Sequence, residues 1–159
     1  GMQVSSSAPF AQPVLWVGGH GAVVYDSHWA IGAFGSGAVN NVNVSGLDFN
    51  QNGDLSLNMG FGGLFLEYIR PRKKPYIPSV RIPFGIGGIS LEDLAENKVA
   101  KSDLYSFSPR LNWEFHLNDY FCIGFFSGYQ MLWAKDNVTF NQNDLSSWEY
   151  GLSFKIGRF

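Results

Sequence analysis

Charge is scarce in this chain: Asp, Glu, Lys and Arg together make up 15% of its 159 residues, against roughly a quarter in an average soluble domain. A surface so poor in charge is not mainly water-facing. Basic residues are not in excess either; the formal net charge is -2, and without a basic patch or stripe no nucleic-acid partner is expected. Cysteine is reduced to Cys122, which cannot close an internal disulfide and has no neighbours for a metal cluster. No run approaches the ~18 consecutive apolar residues of a transmembrane helix. An export signal is also missing, and Gly1-Met2 reads as an engineered start from which any such signal has been removed.

What is abundant points to strands. Aromatic residues reach 16% and glycines number 19, and both fall in alternating runs. Across residues 105–116, Tyr105, Phe107, Leu111, Trp113 and Phe115 share one face, while Ser106, Ser108, Arg110, Asn112, Glu114 and His116 share the other. Period two is the signature of a strand with one apolar face, here opposed by a face with an arginine and a glutamate in mid-strand. Residues 14–25 read as a strand through Trp16, Gly18, Gly19 and Gly21, reversed by Asp26-Ser27, and residues 29–39 continue the sheet. In residues 55–68, Leu57, Met59, Phe61 and Phe65 alternate with Ser56, Asn58, Gly60, Gly62 and Leu64. Residues 79–87 alternate again, with Pro78 and Pro83 predicting a bulge or a weakly paired edge. Residues 121–133 and 148–156 complete the set, while residues 2–7 are a weak strand at best and residues 91–102, rich in charge, could form a helical turn or two. The pattern predicts an all-β antiparallel meander of seven strands plus a doubtful one at the start.

Alternation alone does not separate a soluble barrel from a membrane barrel. With bulky faces inward, the interior would have to hold aromatics from several strands, and a Gly/Ser exterior would be a poor water-facing sheet. With bulky faces outward, they make an apolar band against lipid, and the Gly, Ser, Asn and Gln faces fit a narrow lumen. Arg81, Arg110, Glu114, Glu149 and Lys155 then form a lumen charge network, with Arg110 and Glu114 as a structural pair beside Lys155 and Glu149. On the lipid side at mid-bilayer one Arg or Lys would cost ~2–4 kcal/mol.

Connection lengths agree with that orientation. Counted back from a periplasmic C-terminus, Asp26-Ser27, residues 71–75 and Asn118-Asp119 are short turns on one side; residues 40–54, 91–102 and 135–147 are long loops on the other. The register predicts two aromatic girdles, Trp29, Tyr76, Phe115 and Phe121 at one interface and Tyr105, Trp133, Trp148 and Tyr150 at the other. Even strand counts in single-chain bacterial barrels make residues 2–7 the end of an eighth strand.

In Val17-Gly18-Gly19-His20-Gly21, His28-Trp29-Ala30-Ile31-Gly32, Gly60-Phe61-Gly62-Gly63-Leu64-Phe65-Leu66-Glu67-Tyr68-Ile69, Gly85-Ile86-Gly87-Gly88 and the terminal Arg158-Phe159, the chain resembles the small outer-membrane β-barrels of Gram-negative bacteria, uncharacterised porin-like barrels among them. The resemblance implies an outer-membrane location and no assigned activity. The usual terminal signal has apolar residues two and four places before the final Phe, where this chain has Gly157 and Lys155.

Candidate chemistry is thin. Residues 48–56 match the first half of a calcium loop, but Met59 stands where the bidentate Glu belongs, so an Asn-Gly hairpin turn is the reading. His20, His28 and His116 show no metal spacing. His116, Glu114 and Ser108 share a strand face as a lipid hydrolase would need, yet Ser108 lies ~25 Å away at strand rise. The basic turn from Arg70 to Lys74 could touch anionic headgroups. The expectation is a transmembrane up-and-down β-barrel of about eight strands spanning residues 1–159, monomeric, in contact with membrane lipid, with no cofactor, metal or catalytic site. Its role would be structural, adhesive or that of a narrow channel, its loop partner unnamed by the sequence. A soluble lipocalin-like barrel binding an apolar ligand is the alternative, and an outer-membrane lipid hydrolase the third.

Overall fold

The computed structural model describes residues 1–8, 13–39, 42–43, 56–70, 76–92, 98–135 and 146–157. Its strands are β1 (Met2–Ser7), β2 (Val14–Tyr25), β3 (Trp29–Ala38), β4 (Val42–Asn43), β5 (Ser56–Ile69), β6 (Tyr76–Glu92), β7 (Lys98–Phe107), β8 (Arg110–His116), β9 (Phe121–Ala134) and β10 (Ser147–Ile156). β4 only lengthens the ladder beside β5. β7 and β8 are one strand in register, because Phe84 faces Phe107 and Arg81 faces Arg110 on β6 while Met131 and Gly128 face the same two residues on β9. Eight strands therefore meander antiparallel, and β1 pairs with both β10 and β2 to close the barrel. Closure gives β1 a partner on both sides, which is why this short polar strand is held in the sheet.

The stagger of the barrel follows from its registers. A row started at Val24 and followed from strand to strand passes Ala30, Glu67, Arg81, Arg110, Gly128, Glu149 and Ser7, and returns to β2 at Val14, ten residues away. Eight strands with that shear tilt by ~40° and close at a backbone radius of ~8 Å, an interior that side chains fill.

Turn chemistry marks one end. Asp26 and Ser27 have φ of 51° and 53°, the left-handed pair that matches the twist of a tight hairpin, and His28 N–H donates to the Tyr25 carbonyl at 3.3 Å. At the β8–β9 turn Asn118 Oδ1 accepts the N–H groups of Tyr120 and Phe121, both at 2.8 Å. β1 begins and β10 ends at this same turn end.

Several local readings are corrected. Residues 91–102 hold no described helix: β6 and β7 run on through them, with Leu91 opposite Ala100 and Glu92 opposite Lys98, and so the connection is shorter than the charge pattern implied. Pro78 and Pro83 do not make an edge, since their carbonyls accept from Arg70 N–H and Ser108 N–H, both at 3.2 Å; Pro83 lies beside the Ser108-Pro109 gap between β7 and β8, where two prolines remove ladder donors. On β5 the bulky residues Met59, Phe61 and Phe65 point inward rather than toward the outside. They share parity with Glu67, and a slip by one residue would move that carboxylate onto the apolar wall. A Cβ at Gly32 would meet the Phe65 ring, and one at Gly87 would meet Phe61 Cα and Cβ and the Gly60 carbonyl, so glycines on the neighbouring strands leave the space these two residues occupy.

Candidate functional site in the barrel interior

Nearest the turn end, Glu67 is the hub. Its position beside Arg81 on adjacent strands brings the side chains within reach, and Arg81 donates to Glu67 Oε2 from Nη2 at 2.7 Å and from Nε at 3.1 Å. Ser79 Oγ donates to Oε1 at 2.5 Å, and Asn112 Nδ2 donates to both Oε1 (3.0 Å) and Ser79 Oγ (3.1 Å). Lys155 Nζ stands 3.8 Å from Glu67 Oε2 and hydrogen-bonds Glu114 Oε1. The Arg81 guanidinium also lies 4.3 Å above the Phe65 ring, a placement the ring quadrupole favours. Glu67 is 1% exposed. Every one of its oxygens is satisfied, the condition under which a buried charge is tolerated.

A second cluster sits across the lumen. Arg110 Nη2 pairs with Glu149 Oε2 at 3.1 Å, and Nη1 donates to Gln3 Oε1 at 3.4 Å. Ser5 Oγ donates to Glu149 Oε1 at 2.7 Å. Arg110 can reach Glu149 because the residue between them in the row is Gly128, where a Cβ would meet Arg110 Cγ at 2.8 Å. The chain of contacts continues as Trp16 Nε1 donates to Ser7 Oγ at 2.7 Å and Ser7 Oγ donates to Gln130 Oε1 at 3.1 Å. Toward the loop end the interior turns apolar, with Val14, Trp16, Met59, Phe61, Ile89, Leu104 and Leu132 all buried. Trp16 and Phe61 meet at 5.0 Å between centroids, and Phe34 and Phe61 at 6.0 Å.

The five charged positions singled out in the sequence all lie on the interior side, but the partners differ from the expected ones. Arg110 joins Glu149, not Glu114, and Glu114 joins Lys155. Residues four apart along a strand are ~13 Å distant, whereas cross-strand neighbours are ~5 Å apart; the along-strand pair was never within reach. Glu67, the centre of the first cluster, was missed. It could have been found by counting β5 and β6 outward from their shared turn, which sets it opposite Arg81.

The histidine readings also change. Ser108 lies in the gap before β8 and His116 at the far end of that strand, so the Ser108–Glu114–His116 set does not assemble along it. Cys122, which lacked neighbours in sequence, lies directly opposite His116 in the β8–β9 ladder and is buried. Glu114, His116 and Cys122 bring their carboxylate, imidazole and thiol atoms within 4.8 Å of one another. The calcium-like stretch of residues 48–56 and the basic residues 71–74 lie outside the described residues, apart from Ser56.

The outer wall is apolar. Val23, Ile31, Leu64, Phe84, Ile86, Leu111, Trp113, Leu152 and Phe154 are exposed. Trp29 meets Tyr68 at 5.0 Å near the turn end, and Tyr129 meets Trp148 at 5.6 Å toward the loop end. Between Leu64, Phe84, Ile86, Tyr105, Phe107 and Trp133 the wall is indented by an apolar groove of about 590 Å³.

Closed, eight-stranded, antiparallel and wound up-and-down, this barrel has the architecture of the small up-and-down β-barrel class. Among solved structures the chain is similar to a crystal structure of Neisserial surface protein A, with a TM-score of 0.71 and 8% identity over 99% of this chain and 93% of that one. No protein-family model and no curated protein sequence matches it.

Proposed function

We propose that this is a small bacterial outer-membrane barrel, a monomer set in lipid, non-enzymatic, whose interior is a plug and whose role is structural or adhesive through the connections at its loop end. The observation that carries the reading is the pairing of opposite faces: an interior in which Arg81, Arg110 and Lys155 are matched by Glu67, Glu114 and Glu149, and an exterior of exposed aliphatic and aromatic residues. Water-facing strands do not carry such a wall, and this favours lipid over the soluble, ligand-binding alternative. β5, β6 and β9 have 14, 17 and 14 residues, more than the ~9–11 that a tilted strand needs to cross a bilayer. The likeness to a protein named a surface protein supports display outward from the barrel.

Two measurements test this. The protein should need detergent to stay monodisperse and should migrate differently on a gel before and after boiling; a monodisperse sample without detergent would sink the membrane reading. Reconstituted in a planar bilayer of neutral lipid, it should give no current above that of lipid alone. Steady single-channel steps would replace the plug with a pathway.

A further inference from the structure

We propose that Glu114, His116 and Cys122 form a binding site for a divalent transition metal of the zinc type at the turn-end mouth of the barrel. The three residues come from one hairpin. Glu114 and His116 are two apart on β8 and so share the inward face, and Cys122 faces His116 across the ladder. The Asn118-centred turn that joins the strands is held by two side-chain bonds and by Leu117 N–H to the Phe121 carbonyl at 2.9 Å, so the spacing is set by the backbone before any ion arrives.

The carboxylate is already divided between two tasks. Glu114 Oε1 is held by Lys155, while Oε2 faces Cys122 Sγ at 3.7 Å. Opposite Glu114 in the ladder is Gly124, where a Cβ would collide with Ser153 Oγ, so this position beside the carboxylate carries no side chain. Ligand atoms in a tetrahedral site with bonds of 2.0–2.3 Å are ~3.5 Å apart, and the three donor atoms here lie within 4.8 Å of each other. Side-chain rotation of ~1 Å closes that difference. A mixed sulfur, nitrogen and oxygen set suits zinc-like ions and not magnesium or calcium, which take oxygen ligands. His116 is half-buried, and three protein ligands leave a fourth position for water. On binding, the Cys122 S–H bond breaks, its proton passes to water, and the sulfur electron pair goes to the metal. The new thiolate offsets one of the two charges brought in. Lys155, still paired with Glu114 and Glu67, anchors the carboxylate from the other side and does not compete for Oε2.

The test is a titration of the detergent-solubilised protein with Co²⁺. One equivalent should bind with a near-ultraviolet thiolate-to-cobalt band, and Zn²⁺ but not Ca²⁺ should displace it. Cys122→Ser should abolish the band, and His116→Gln should weaken binding by about tenfold or more, since even outer-shell changes cost that much. The heat-dependent gel shift shows whether each variant is folded. The wild-type titration needs no variant: absence of the band with excess Co²⁺ overturns the site. A band that survives Cys122→Ser, or unchanged affinity in folded His116→Gln, overturns it equally.

Discussion

The two ends of the barrel interior fill the same narrow space by different chemistry. Toward the turns, Glu67, Arg81, Ser79, Asn112, Glu114 and Lys155 interlock through directed bonds; toward the loops, Met59, Phe61, Ile89, Leu104 and Leu132 fill volume without direction. The polar end depends on each partner being present, because a buried charge left alone costs several kcal/mol. The apolar end depends on shape, and a lost side chain costs its transfer energy plus the cavity. The row through Glu67, Arg81, Arg110 and Glu149 shows how the polar interior is made: neighbouring strands bring together charges that are far apart in sequence, along a line that climbs from the turn end toward the loops.

Breaking the polar end should have the largest effect. Glu67→Ala strands Arg81 and removes an acceptor for Ser79, Asn112 and Lys155, and should lower stability by about 3–5 kcal/mol, measured by urea unfolding followed through the gel shift. Trp16→Ala at the apolar end should cost a similar ~3–5 kcal/mol, including loss of its bond to Ser7. A comparison of pairs sharpens the distinction. Arg110→Met alone leaves Glu149 uncompensated and should cost ~3 kcal/mol, whereas Arg110→Met with Glu149→Leu should recover most of it; equal losses for the single and double variants would show that the ion pair is not what matters there. Gly32→Ala, whose methyl would meet both the Gly21 carbonyl oxygen and the Phe65 ring, should cost ~1–3 kcal/mol. The smallest effect is expected outside both regions. Lys135 and Asp103 pair at 3.6 Å with side chains more than half exposed, and Lys135→Ala should shift stability by under ~0.5 kcal/mol.

How much was legible depended on the range of the interaction. β2 could be bounded at Val14 and Tyr25 because alternation, glycines and the Asp26-Ser27 reversal all lie within a dozen residues. On β9 and β10 the inward Cys122, Gly124, Gln130, Glu149 and Ser153 followed from parity alone. β5 was read inside out because Met59, Phe61 and Phe65 obey the same period whichever way they face; glycines on β3 and β6, invisible from within β5, leave room for them. β1 looked weak because Met2–Ser7 has little strand propensity of its own, and its order comes from neighbours on both sides. The Glu114–His116–Cys122 cluster escaped notice because a ladder partner is not a sequence neighbour.

By itself, then, the sequence determined that the chain forms strands, where most of them turn, and that its charges must lie together away from an apolar face, since period and burial cost are local properties of each residue. The tertiary structure decided the rest. Hairpin register sets Glu67 opposite Arg81 and Cys122 opposite His116, and only closure with a ten-residue stagger brings Lys155 of β10 to Glu67 of β5, because contacts between distant strands depend on register around the whole barrel, which no single strand encodes.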